Sequence, residues 1–275
     1  PRRRALKVFV DDSLYPSASR PAGWTGGYQP SIVRPVRALG MDGRYVWDSA
    51  ADTASYFASR LRAGGMSAGY SGRQRASGGA QVLVQQQGAT LADQVKYMLQ
   101  VSENNIAEML YRNTAVALGY RATWANSRAA AGRVLRQLDV PTASLNLADG
   151  SGVGRLDRVT PVALTTLLQR VADKSTYPSL APVYYGGGLP LAGVSGTLGP
   201  RTGRFVTRPT SCARGKLRAK TGTLFDTIGL SGLTMGRDGQ LKAFSVLVNS
   251  RPQRVSPLTT RRSVDRIAAT VNGCY

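Results

Sequence analysis

The sequence predicts an α+β fold in which helices flank an antiparallel sheet. Three observations support this: helical patterns cluster between residues 90 and 174, three strand-like runs follow them, and a last helical pattern ends the chain. Helices and hairpin-connected strands that occupy separate stretches are typical of an antiparallel sheet with helices packed on it. At 275 residues and 42% apolar content, the chain is long enough to bury such a core.

The first 88 residues are rich in loop signals. Proline and glycine cluster in YPSASRPAGWTGGYQP (residues 15–30), and glycine and serine cluster in GGMSAGYSGRQRASGGA (residues 64–80). Such clusters mark turns and irregular connections. The part of the chain before residue 89 is therefore predicted to be loop-rich.

Two regular elements are nevertheless expected in this first part. Residues 5–10 have the pattern of a strand, and residues 48–65 have the pattern of a helix that ends at a glycine pair. In that helix, we expect Tyr56, Phe57 and Leu61 to face inward.

From residue 90 the apolar pattern becomes helical. The first helix, at residues 90–100, places Leu91, Val95, Met98 and Leu99 on one face. Three more helices are predicted over residues 101–119, 123–141 and 160–174. The last of these has a threonine cap followed by proline in its first turn, which is a favourable helix start.

The strand-like runs that follow are KLRAKTGTL, IGLSGLTMG and LKAFSVLVN. The second and third are separated by Gly236-Arg237-Asp238-Gly239, a sequence that favours a hairpin turn. Residues 263–271 then predict the last helix.

The charge balance is strongly basic, with 36 Lys+Arg against 15 Asp+Glu and a formal net charge of +21. Such a surface attracts polyanions, including nucleic acid, anionic lipid and anionic cell-wall polymer. The arginines are scattered, however, and no nucleic-acid-binding motif accompanies them, so no nucleic-acid partner is predicted. A bias of composition toward arginine is the alternative explanation.

The sequence has no membrane-spanning run and does not open on a signal-peptide pattern, and we expect a processed or truncated chain.

The chain has no histidine and only two cysteines. This excludes a Ser-His-Asp triad and most zinc sites, so no metal or cofactor is predicted. Nucleophilic chemistry at neutral pH would then need lysine or a carboxylate to carry the proton. We expect Cys212 and Cys274 to pair, which would contribute roughly 4 kcal/mol through loop entropy; two unpaired buried cysteines are the alternative.

Three short stretches are candidates for chemistry. Residues 101–110, VSENNIAEML, contain Ser102 and Asn104, which either cap a helix or serve a site. Residues 148–155, ADGSGVGR, form either a glycine-rich turn or a site loop. Lys220, Thr221 and Gly222 lie in a predicted strand, where the lysine is either solvated or holds a substrate carboxylate. Gly222 would leave room for a substrate backbone along the strand, and the next amide can point at an oxyanion.

These stretches resemble a known family. Ser-x-Asn followed by Lys-Thr-Gly are the second and third motifs of penicillin-binding proteins and serine β-lactamases, whose first motif is Ser-x-x-Lys. The resemblance to the low-molecular-mass class C D-alanyl-D-alanine carboxypeptidases extends along nearly the whole chain. It is carried in order by VFVDDSLYPSASRPAGW, LADQVKYMLQVSENNIAEML, LADGSGVGRLDRVTP, LPLAGVSGTL and RAKTGTLFDTIGLSG.

The resemblance implies a β-lactamase/transpeptidase-like fold in two parts. Residues 1–88 would be a remnant of the family's inserted domain, and residues 89–275 the C-terminal part of the catalytic domain. One departure is serious, because no lysine of the chain is preceded by serine three positions earlier. The Ser-x-x-Lys nucleophile motif is therefore absent from these residues, and we expect a separate N-terminal segment to carry it.

The resemblance also implies roles for individual residues. Ser102 would help to relay the proton to the leaving D-alanine, and Asn104 would offer its amide to the substrate and to the lysine base. Lys220 would hold the substrate's terminal carboxylate, making these three the catalytic candidates. The substrate-binding candidates are Thr221, Gly222, Thr223, whose amide would complete the oxyanion hole, and Arg155, which would contact the side chain of the peptidoglycan stem.

The function that follows is that of a serine-type D-Ala-D-Ala carboxypeptidase, with endopeptidase activity as a second option. It would act on peptidoglycan stem peptides outside the bacterial cytoplasm, whether secreted, periplasmic or attached to the cell wall, and β-lactams would acylate it. The basic charge would support peripheral association with the wall or a membrane surface. The alternative is a non-catalytic module that keeps the fold and binds anionic wall polymer.

Overall fold

The structure, a computed structural model, describes residues 5–16, 20–41 and 43–275. Residues 17–19 of the predicted loop at 15–30 lie outside the described residues. The chain forms two compact units. The first comprises residues 1–88, 104–131 and 147–157, and the second comprises residues 89–103, 132–146 and 158–275. The border after residue 88 recurs here, but two later segments group with the first unit, so the division into an inserted-domain remnant and a catalytic part stays a prediction.

The first unit contains a parallel strand pair covered by a helix. Strands β1 (Leu6–Val10) and β2 (Ala68–Arg73) pair in parallel, and helix α1 (Ser49–Ala63) lies between them in sequence. Asp48 caps α1 by accepting a hydrogen bond from the Ala51 amide. The sequence predicted β1 and α1 but placed β2 in a loop, because β2 is built largely from glycine and serine, which weaken a strand pattern.

The predicted inner face of α1 is wrong for its aromatic residues. Tyr56 and Phe57 are 49% and 55% exposed, whereas Ala50, Ala54 and Ala58 are buried. Alanines four residues apart form one stripe of the helix, and their small side chains let α1 lie close to the two strands. Small size, rather than hydrophobicity, therefore selects the buried face.

Helices α3 (Asn104–Ala117) and α4 (Trp124–Gln137) follow, with α4 passing into the second unit at Gly132. Helix α3 buries several polar side chains. Arg112 is fully buried, and its guanidinium carbon lies 5.3 Å from the ring centre of Tyr15 and 4.6 Å from that of Trp124. Aromatic faces stabilise a cation that has been removed from water.

The second unit contains the predicted antiparallel sheet. Strands β3 (Leu217–Thr223), β4 (Ile228–Met235) and β5 (Leu241–Val248) are ordered β3-β4-β5, and both pairs are antiparallel. This confirms the α+β fold class and the hairpin. Four helices belong wholly to this unit: α2 (Leu91–Val101), α5 (Pro161–Ala172), α6 (Ala181–Tyr184) and α7 (Pro257–Asn272).

The sheet lies between two helices because β4 is apolar on both faces. Ile228 and Leu230 pack in one cluster with Val264 of α7, whereas Leu233 packs in another with Leu168 of α5. Alternate strand residues point to opposite faces, so the odd spacing between Leu230 and Leu233 sends them to different helices. Asn146, before the glycine-rich residues 148–155, forms an isolated antiparallel bridge with Arg158 after them.

A disulfide joins Cys212, shortly before β3, to Cys274, just after α7. It attaches the end of the last helix to the segment that leads into the sheet. Nearby, Arg204 and Asp265 form a buried ion pair with a separation of 2.5 Å between Nη2 and Oδ1. Among the described residues, no helix has the length and apolar character needed to cross a bilayer.

Candidate active site

Ser102 occupies a sharp break between two helices. It is the C-terminal cap of α2, with left-handed backbone angles of φ 60° and ψ 49°. A non-glycine residue in this region carries a cost of roughly 1 kcal/mol. The amides of Ser102 and Glu103 both donate to the Met98 carbonyl, which holds the break in place. The chain then enters α3 at Asn104, so the polar cluster marks the junction between two helices.

Lys220 of β3 reaches this junction. Its Nζ donates to Ser102 Oγ at 2.7 Å and to the Thr221 carbonyl at 2.7 Å. Burial away from water lowers the pKa of Lys220 to about 8, because desolvation disfavours the charged ammonium. At neutral pH the group is mostly protonated but close to its titration point, which suits a residue that holds an anion or exchanges a proton.

Thr221 is positioned by a residue that the sequence did not single out. Its Oγ1 donates to Thr197 Oγ1 at 2.8 Å. Thr197 lies in a short 3-10 turn (Gly196–Leu198) that packs on the end of α2. A side chain at Gly196 would place its Cβ 2.5 Å from the Gln100 carbonyl, so only glycine allows this approach. Thr197 lies in the LPLAGVSGTL segment, one of the segments on which the family resemblance rests. No role was assigned to this segment from the sequence, although it could have pointed to Thr197.

Among the described residues, no strand pairs with the outer edge of β3 beside Lys220. The Ala219 amide donates to the Pro190 carbonyl at 3.0 Å, and the Ala192 amide donates to the Leu217 carbonyl at 2.8 Å, so this edge is covered as far as residue 219. Hydrogen-bonding direction alternates along an antiparallel strand. The amides of Thr221 and Thr223 therefore point to the same edge, beyond the part that residues 190–192 cover.

Gly222 lies on this open edge and is exposed. A Cβ built there would come no closer than 3.8 Å to any neighbouring atom, so packing among the described residues does not require glycine. The role of Gly222 in leaving room for a substrate backbone stays a prediction.

Two predicted site residues belong to the first unit. Asn104 donates its Nδ2 to the Ile32 carbonyl at 2.9 Å, and Arg155 is exposed and donates its backbone amide to Gly23 at 3.0 Å. The second unit brings together Ser102, Lys220 and Thr221. The roles of Asn104 and Arg155 stay predictions.

The glycine-rich loop at 148–155 surrounds carboxyl groups that the sequence did not predict to be buried. Glu108 accepts hydrogen bonds from the Gly150 and Ser151 amides at 3.1 and 2.8 Å. Burial raises the pKa of Glu108 well above its ordinary range, and the nearby charge of Asp149 raises it further. Burial and Asp149 likewise raise the pKa of Asp157. Within the described ranges, no group of acidic or cysteine residues is arranged to hold a metal ion.

Comparisons with known proteins point in one direction. The profile of the D-Ala-D-Ala carboxypeptidase 3 (S13) family matches residues 35–271. The carboxypeptidase DacB of Mycolicibacterium smegmatis is 29% identical over 98% of this chain and 59% of its own length. A D-alanyl-D-alanine carboxypeptidase of Actinomadura is 30% identical over 86% of this chain and 43% of its own length.

A solved structure shows the same similarity. Penicillin-binding protein 4 of Haemophilus influenzae, in complex with a β-lactam, superimposes with a TM-score of 0.67 at 25% identity, over 83% of this chain and 50% of that protein. The chain thus spans only about half the length of the proteins that it resembles.

Proposed function

Because the chain belongs to the D-Ala-D-Ala carboxypeptidase 3 (S13) family, we propose that it forms part of a serine-type D-Ala-D-Ala carboxypeptidase. The observation that carries this proposal is the hydrogen bond of 2.7 Å between Lys220 Nζ and Ser102 Oγ, next to an open strand edge. A partly buried lysine paired with a serine supports acyl transfer in a chain without histidine.

Lys220 has the donors that its proposed role needs. An ammonium has three N–H groups, and two of them bond to Ser102 and Thr221. The third is left for the terminal carboxylate of a substrate. Partial burial of the ammonium strengthens such a charge-assisted bond.

The substrate would lie along the open edge of β3 as an added strand. Strand addition uses main-chain hydrogen bonds, which the outward groups of Thr221 offer. The Thr223 amide then points at the carbonyl oxygen under attack and stabilises the negative charge that develops there. Ser102 would relay the proton that the nucleophile hydroxyl gives up to the nitrogen of the leaving D-alanine, so that its own hydroxyl is restored, with its orientation set by Lys220. Asn104 and Arg155 would contact the substrate's peptide carbonyl and stem side chain.

The nucleophile would come from a Ser-x-x-Lys segment outside these 275 residues, since no lysine in the chain has serine three positions before it. Acylation by β-lactams needs the same nucleophile. Action on peptidoglycan places the protein outside the cytoplasm, where the net charge of +21 would favour anionic wall polymers.

The experiment compares this chain with a longer form of the protein that includes the Ser-x-x-Lys segment. D-alanine release from a peptide ending in D-Ala-D-Ala is measured for both, and cross-linked stem dimers test for endopeptidase activity. We expect release by the longer form alone. A folded longer form that releases no D-alanine from any stem peptide would refute the proposal.

A further inference from the structure

One apolar segment of the first unit lacks a partner in the part of the chain that the structure describes. Val82, Leu83 and Val84 are 76%, 82% and 85% exposed, more than any other described large apolar residue; the next is Phe225 at 66%. Residues 81–85 form no hydrogen bond with any described residue. Both the apolar side chains and the backbone polar groups therefore face solvent.

The local sequence is that of a strand. QVLVQQQ, residues 81–87, has β-branched residues, no proline and no charge, and it is bounded by Gly78-Gly79 and by Gly88. Val82 and Val84 are β-branched, and an apolar run of this kind between breakers favours a strand. A row of unpaired N–H and C=O groups is a template for another strand, and a bare apolar patch on a charged protein marks an interaction surface.

We propose that residues 81–87 pair, as a β-strand, with the polypeptide segment that carries the Ser-x-x-Lys motif. This inference rests on the proposed function, in which that segment completes the site. The M. smegmatis relative aligns with 98% of this chain and still has about two fifths of its length outside the alignment, which leaves ample polypeptide for a docking strand.

The chemistry of the segment favours this occupant over a polyanion. Residues 81–88 carry no charge, whereas the chain as a whole has a net charge of +21. An anionic polymer would therefore bind the basic parts of the surface rather than this segment. An uncharged partner strand would instead satisfy the free backbone groups and bury the apolar side chains. The segment is also continuous in sequence with α2, which begins at Leu91 and ends at the site serine, Ser102.

Hydrogen exchange tests the pairing without relying on catalysis. In the 275-residue chain alone, we expect the amides of residues 82–85 to exchange at about the rate of an unstructured peptide. In the longer form that includes the Ser-x-x-Lys segment, strand pairing should slow the exchange of alternate amides by about 100-fold or more. Fast exchange at all four amides in the folded longer form would overturn the inference.

A matched pair of variants adds a second test. In the longer form, the double substitution Val82→Lys and Val84→Lys should remove the protection at Leu83 and Gln85 and lower penicillin labelling. Val162→Lys is the control, because Val162 of α5 is also an exposed valine, at 61%, and should change neither readout. If the double variant keeps full amide protection, the apolar side chains do not hold the partner and the inference is wrong.

The same experiments separate the two proposals and the choice of partner. Protected amides in a longer form that releases no D-alanine would support the docking strand while refuting the proposed function. Sedimentation of the 275-residue chain tests a second copy as the occupant. A monomer supports our assignment, whereas a dimer abolished by Val82→Lys with Val84→Lys would overturn it.

Discussion

Replacing Lys220 by alanine in the longer form of the protein should remove the anchor for the substrate carboxylate. Two N–H groups of the ammonium bond to Ser102 and Thr221. The substitution therefore removes the third N–H, the one proposed to bind the substrate carboxylate. A hydrogen bond to a charged group contributes roughly 1.5–3 kcal/mol. By transition-state arithmetic this corresponds to a loss of about 10- to 150-fold in kcat/KM.

The pKa of Lys220 gives this prediction a second readout. Burial lowers the pKa to about 8, so the ammonium is protonated below that pH and loses its charge above it. The contribution of the charge to carboxylate binding should therefore be nearly complete at pH 7 and fall above pH 8, toward the activity that Lys220→Ala retains. Lys220→Arg should abolish this decline, because guanidinium stays charged, but should keep only part of the activity, because its shape differs.

The assay is D-alanine release from a peptide ending in D-Ala-D-Ala, measured from pH 6 to pH 10. A peptide with an amidated C-terminus is the control, since it offers no carboxylate. The amidated peptide should be a poor substrate for the unmodified enzyme, and Lys220→Ala should lower its rate of hydrolysis little further. If Lys220→Ala hydrolyses the free-acid peptide at an unchanged rate, Lys220 is a solvated strand residue and the assignment fails.

Three further predictions concern the chain as it stands. The 275-residue chain should form no covalent adduct with fluorescent penicillin, because it lacks Ser-x-x-Lys; a stable label on gel electrophoresis would contradict this. Thiol titration of the denatured, unreduced protein should find no free thiol, and Cys212→Ser should lower the free energy of unfolding by up to about 4 kcal/mol. Because the raised pKa of Glu108 favours its protonated form in the folded state, its contribution to stability is complete below about pH 4.3, the ordinary pKa of glutamate, and is lost as pH rises through the raised value. Glu108→Gln should flatten this dependence of the urea midpoint on pH, and an unchanged slope would place the titration elsewhere.

The sheet was predictable because the local sequence of each strand indicates its structure. In β3 to β5, short apolar runs are separated by turn residues, and the turn between β4 and β5 is short. The same reasoning fails for α1. It predicted that the large apolar residues Tyr56 and Phe57 face inward, whereas the buried face is a stripe of alanines, which allows the helix to pack closer to the strands. It also fails for β2, whose glycine and serine residues carry no strand signal.

The site was predictable only through the resemblance. Ser102 and Lys220 are 118 positions apart, and no periodic pattern connects residues at that separation. The buried Glu108 shows the opposite limit. Nothing in the local sequence indicates that this carboxyl group is buried, because the amides that donate to it lie 42 and 43 positions away, at Gly150 and Ser151.

The break at Ser102 links the electrostatics of Lys220 to the helix that precedes it. The C-terminal end of a helix carries partial negative charge, which stabilises a nearby cation by about 0.3–1 kcal/mol. Lys220 meets α2 at this end, through the cap residue itself. Burial lowers the pKa of the ammonium, and the partial negative charge at the helix end acts in the opposite direction, in favour of the charged form. Replacing Ser102 by alanine would remove its hydrogen bond to Lys220, whereas the backbone end of α2 would still favour the charged ammonium.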